Sequence, residues 1–137
     1  MISLVPWSDL PPTGHPITLQ HSADLPRFPG YRALWLQSGT AALSAAMIAA
    51  RLQRPDIVAP EIILPGYGCP DLVAAAEFAG VRPVIVDIGA NDPSYDLSVL
   101  RTALSSNTVA VVAVNFLGIR ERLSELRQTA PGGEGFG

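Results

Sequence analysis

Three short runs of this chain are apolar almost without interruption: Glu61–Pro65 (E-I-I-L-P), Pro83–Ile88 (P-V-I-V-D-I) and Val109–Val114 (V-A-V-V-A-V). A strand with one wet face alternates apolar and polar residues, whereas a strand covered on both faces has no need to. The segments between these runs have helix-forming composition. Thr40–Leu52 (T-A-A-L-S-A-A-M-I-A-A-R-L) holds no glycine or proline and is apolar nearly all round, which predicts a buried helix. Pro70–Ala79 predicts a helix with proline in its first turn and Gly80 as its stop. Leu97–Leu104 predicts a short helix, and Arg120–Gln128 an amphipathic one with Leu123 and Leu126 on one face. Strands that alternate with helices predict an α/β fold. The expected architecture is a three-layer α/β/α arrangement around a mostly parallel sheet, joined by right-handed crossovers.

Composition narrows the chemistry. The 137 residues suit one domain, and 48% hydrophobic against 15% charged residues excludes disorder for most of the chain. The net charge of -3 shows no basic excess of the kind a nucleic-acid partner requires. All nine cations are arginines, so chemistry that needs a lysine amine is closed to this polypeptide alone. The single cysteine, Cys69, forms no intrachain disulfide, which points to a reducing compartment. His15 and His21 both fall near the start, no Cys/His cluster has metal-ligand spacing, and no metal site is expected. The start lacks the charged and apolar regions of a signal peptide, and the run Thr108–Ile119 is too short to span a bilayer. The expected location is cytoplasmic, with no membrane partner.

Both ends differ from the middle. Residues 1–30 hold six of the thirteen prolines and read as an extended arm. Residues 31–130 carry the α/β pattern. Residues 131–137 (P-G-G-E-G-F-G) read as a flexible glycine-rich tail where the alternation calls for another strand.

Two loops invite a ligand. Ser38-Gly39-Thr40 directly precedes the first helix. A capping hydroxyl, a glycine that permits close approach and free amides at the positive end of a helix dipole suit a phosphate. Pro65-Gly66-Tyr67-Gly68-Cys69-Pro70 follows a strand at its carboxyl end, where open α/β sheets bind ligands. Cys69 has no histidine near it in sequence, and apolar surroundings would keep its thiol protonated, so it is not expected to be catalytic. Gly66-x-Gly68 followed by Asp87 imitates a nicotinamide-dinucleotide fingerprint, but the third glycine is Asp71, whose carboxylate would repel pyrophosphate. Asn91, Asp92 and Pro93 read as turn residues, and Asn115 as an amide that is either buried or in contact with a ligand.

The order of these segments resembles the DegT–StrS type of pyridoxal-phosphate aminotransferases, which aminate nucleotide-linked keto sugars. S-G-T-A-A-L, I-I-L-P-G-Y-G-C, E-F-A-G-V-R-P-V-I-V-D-I and L-S-V-L-R-T-A-L-S-S-N-T-V-A-V-V-A-V-N-F-L-G follow one another with the family's spacing from about Ala33 to Arg127. The resemblance implies the first part of the large domain of an aspartate aminotransferase-like fold. It assigns the cofactor phosphate to Ser38, Gly39 and Thr40. It places Cys69 where the family has a ring-stacking aromatic, with Tyr67 two residues earlier as the alternative ring, and Asn115 at a polar position near the active site. The family's later segments, an aspartate in a D-x-A-Q or D-x-A-H context and a Schiff-base lysine, are absent from these residues, so no catalytic residue is assigned. The expectation is a truncated relative, inactive alone, that binds pyridoxal phosphate noncovalently at best. Its expected partners are a second copy of itself or a complementing polypeptide. The alternatives are a dinucleotide-binding domain on Gly66, Gly68 and Asp87, and a noncatalytic partner subunit of a full-length aminotransferase.

Overall fold

All five residues of strand β1, Glu61–Pro65, are buried, which is what an unbroken apolar run requires. The computed structural model describes Gly30 and residues 34–130. The proposed arm, apart from Gly30, and the tail at 131–137 lie outside the described residues. By its contacts the chain divides into Met1–Leu34 and Trp35–Gly137, and every element below belongs to the second unit.

Helix α1 (Gly39–Leu52) precedes β1; helix α2 (Asp71–Ala79), strand β2 (Arg82–Val86), strands β3 (Ile88–Gly89) and β4 (Asp92–Tyr95), helix α3 (Leu97–Ala103), strand β5 (Thr108–Val111) and helix α4 (Leu123–Thr129) follow. The main sheet has the order β2-β1-β5, and both pairings are parallel. Ile63 lies opposite Val84 on one side and Val111 on the other.

Strand periodicity sends alternate residues of β1 to opposite faces. Ile62 and Leu64 join Met47 of α1 and Ala75, Ala76 and Ala79 of α2 in one core. Ile63 joins Val86, Tyr95, Leu100 of α3 and Leu126 of α4 in the other. The three layers follow: two helices, the sheet, two helices. Each fully buried aliphatic side chain here contributes about 1.5–3 kcal/mol. The β1–β5 register shifts between Glu61 and Ile62, and Val109 is the extra residue, so Val109 and Ala110 both pack toward α1 and α2.

Several boundaries differ from expectation, each for a local reason. Helix α1 is buried only at Ser44 and Met47 and presents Ala42, Ala46 and Ala49 outward, because the sheet and α2 cover one side. The second strand ends at Val86, and Asp87 accepts its neighbour Ile88's amide (2.9 Å). The antiparallel hairpin β3–β4 was not expected; only Asn91 of the three turn residues stays in the turn, while Asp92 and Pro93 begin β4. Strand β5 runs over Thr108–Val111, with only the Val112 amide reaching back to the Ile63 carbonyl (2.9 Å). Helix α4 starts at Leu123, after a 3₁₀ turn at Phe116–Gly118 in which Leu117 takes a φ of 50°. Leu126 is buried but Leu123 is 50% exposed, so the two do not share the core.

Candidate functional site

Connectivity fixes where the two candidate loops meet. Helix α1 ends shortly before β1 begins, so its start points toward the carboxyl end of β1. Helix α2 begins directly after that end. The Thr40 hydroxyl donates to Asp71 Oδ2 at 2.9 Å, which joins the first turns of the two helices. The loop after β1 meets the segment after β5 through Tyr67 and Phe116, whose rings lie edge to face with centroids 5.0 Å apart. Ser38, Gly39, Thr40, Tyr67 and the segment that carries Asn115 therefore share the carboxyl edge of the sheet.

The first turn of α1 has the anatomy of an anion cradle. Ser38 is the N-cap, in extended backbone, and its Oγ accepts the Ala41 amide at 3.1 Å. The Ala42 amide makes the first intrahelical bond, to the Ser38 carbonyl at 3.0 Å, so the amides of Gly39 and Thr40 lead the helix. A Cβ added to Gly39 would meet nothing within 4 Å, so space lies beside it. No residue of this turn is acidic.

The other site residues stand differently. Cys69 is exposed, not enclosed by apolar side chains. Tyr67, two residues before Cys69, is 60% exposed. Asn115 is exposed, and its Oδ1 accepts the Glu121 amide at 3.0 Å, so its carbonyl end serves the loop before α4. The dinucleotide geometry does not form. The Gly66 amide is spent on the Val86 carbonyl at 2.7 Å, and Asp87 stands 3.4 Å from where a Gly66 Cβ would be.

Sequence reasoning missed three participants. Phe116 carried no signal apart from its place after an apolar run. Glu121 is buried and accepts the amides of Tyr95 (3.3 Å) and Arg122 (2.8 Å), tying β4 to the start of α4. Tyr95 is fully buried and donates to the Val112 carbonyl at 2.7 Å; burial, then the nearby Glu121 charge, pushes its phenol well above the ordinary tyrosine range. Asp71, which the sequence sets only against a pyrophosphate, has Thr40 as its partner. Among the described residues no group of three or more His, Cys, Asp and Glu could hold a metal ion, and no helix is long and apolar enough to cross a membrane.

A parallel sheet between helix layers, with a helix start facing the strands' carboxyl edge, is the architecture of the PLP-transferase fold, and the solved structures similar to this chain have that fold. The model of the DegT/DnrJ/EryC1/StrS aminotransferase family matches residues 28–133, and the chain belongs to that family. It is 33% identical over 89 residues to protein MosB of Rhizobium meliloti, a match that covers 65% of this chain and 17% of MosB. Its structure is similar to a sphingosine-1-phosphate lyase of Burkholderia pseudomallei (TM-score 0.60, 26% identity, 67% of this chain and 22% of the lyase). It is also similar to Spr1654 of Streptococcus pneumoniae, a protein assigned as a sugar aminotransferase, in its PMP form (TM-score 0.50, 28% identity, 61% of this chain and 22% of that one). The chain thus spans about a fifth of the length of these relatives.

The family uses pyridoxal phosphate, and the residues present fit that cofactor only at the backbone. The leading amides of α1, the Ser38 hydroxyl and the space at Gly39 suit a phosphoryl group. The Thr40 hydroxyl does not, because it already donates to a carboxylate whose charge opposes a phosphate. No lysine exists to receive the aldehyde.

Proposed function

We propose that this chain is the cofactor-phosphate portion of a pyridoxal-phosphate-dependent aminotransferase of nucleotide-linked keto sugars, and that alone it transfers no amino group. One observation carries the reading: the first turn of α1 opens at the carboxyl edge of the sheet, beside the loop after β1, in a polypeptide without lysine. Amino transfer in this family needs an amine that holds the cofactor and moves a proton, and an acid beside the pyridine nitrogen. The chain's own groups do less. The Ser38 hydroxyl and the leading amides of Gly39 and Thr40 shape an anion cradle. Tyr67 and Phe116 pack edge to face at the same end of the sheet. Asn115 keeps the loop before α4 in place.

The test is the half-reaction of L-glutamate with pyridoxal phosphate, followed by 2-oxoglutarate formation. The rate with the chain present should equal the protein-free rate. A rate that rises in proportion to chain concentration would overturn the proposal.

A further inference from the structure

The two outer strands of the main sheet, β2 and β5, are built differently. Strand β2 opens with Arg82 and Pro83, a charge and a residue without an amide, and both discourage a further strand. Strand β5 has neither: no charged residue stands between Arg101 and Arg120, and the irregularity of β5 is the bulge at Val109. The Val112 amide turns inward to the Ile63 carbonyl. Pairing alternates along a strand, so the amide and carbonyl of Val111 turn to the free side. Among the described residues no strand pairs with β5 there. Beside that edge lies a groove of about 240 Å³, lined by Val111 and Ala113 and by Leu123 and Leu126 of α4, with Arg127 as its one charged residue. A water takes about 30 Å³, so the groove is room for side chains rather than a packing flaw.

What fills such an edge has to offer extended backbone and small, uncharged, apolar side chains. Neither end of this chain suits it: residues 1–30 hold six prolines, and residues 131–137 hold four glycines and a proline. The β5 segment itself, T-V-A-V-V-A-V, meets each requirement. We propose that the free edge of β5 is the docking surface for a second copy of this chain, with the two β5 strands antiparallel about a two-fold axis at Val111. Each Val111 then donates its amide to the other's carbonyl and accepts in return, which is the hydrogen-bonded pair of an antiparallel ladder. Two sheets of three strands become one sheet of six. The axis stands perpendicular to the sheet, so α4 of both copies lies on one face and each copy covers the other's groove. The cradle at the start of α1 takes no part, so this association neither needs nor tests the cofactor reading.

The test uses the full chain. Sedimentation equilibrium across a concentration series should show monomer and dimer in exchange, with the dimer gaining as concentration rises. Hydrogen exchange read by NMR locates the contact. The Val111 amide should exchange at least about tenfold faster on dilution to monomer, while the Val112 amide, bonded inside the sheet, stays protected in both states. Val111→Pro removes the outward amide and spares the pairing with β1, whereas Val111→Ala trims the same side chain and keeps the amide. Dimerisation should be at least about tenfold weaker in Val111→Pro than in Val111→Ala. Leu123 is 50% exposed, so Leu123→Glu leaves the core closed; it should weaken the dimer as well, and it carries the test if circular dichroism shows Val111→Pro misfolded. A chain that is monomeric at every concentration would overturn the proposal. A dimer indifferent to these variants would do the same, as would Val111 protection that persists in the monomer, where an end of the chain itself fills the edge. Protection that appears only when Spr1654 is added would replace the second copy with a strand from a longer relative.

Discussion

Gly80 is a residue whose role can be stated from sequence and measured in isolation. It stops α2 with a φ of 66°, a left-handed backbone that suits glycine. A Cβ there would also lie 2.8 Å from Arg51 Nη1, the donor that bonds the Ala79 carbonyl at 2.9 Å. Gly80→Ala should cost about 1–2 kcal/mol in urea unfolding, from left-handed strain alone; an unchanged midpoint would contradict the cap. The stop was legible because glycine after a helical run has a local meaning. Ser38 as a cap was legible for the same reason. Asp71 was not, because its partner Thr40 is 31 positions away and nothing local couples them. Phe116 shares that difficulty: it meets Tyr67 only after two crossovers bring their loops to one edge.

At the scale of elements, Glu61 joins neighbouring segments at the start of β1. It is buried, paired with Arg82 of β2, and accepts the Ser105 hydroxyl at 2.8 Å. The Arg82 bond first, and the Ser105 bond next, hold its carboxyl below its usual value of 4.5. The unfolded chain therefore binds this proton at a higher pH than the folded one. The stabilisation is complete above that value and is lost as pH falls through the lower folded value. Urea unfolding of wild type and Glu61→Gln across an acidic pH series should show their difference narrowing as pH falls; a difference that widens would contradict the sign. Elements with a strong, continuous pattern were legible, β1 to the residue. The β3–β4 hairpin was hidden because Asp92 and Pro93 are turn formers recruited to a short edge strand. Helix α4 was placed too early because Glu121 and Arg122 serve the loop bonds before the helix begins.

For the molecule as a whole, the three layers and the parallel sheet could be read from the unbroken apolar strands, since both faces of β1 demand cover. The degree of cover could not. Val58, Phe78 and Ile85 are 99%, 80% and 55% exposed, so apolar composition did not translate into burial everywhere. The cradle was legible as a helix start; the Thr40–Asp71 bond beside it was not, because it depends on how two helices pack. The central claim is that the anion site of this family member lies at the mouth of α1. Its most direct test is a pyridoxamine 5′-phosphate titration of the ¹⁵N-labelled chain, read as amide chemical shifts. The largest shifts should fall on Gly39 and Thr40. Shifts centred on Gly66 and Gly68, or none at all, would contradict the account.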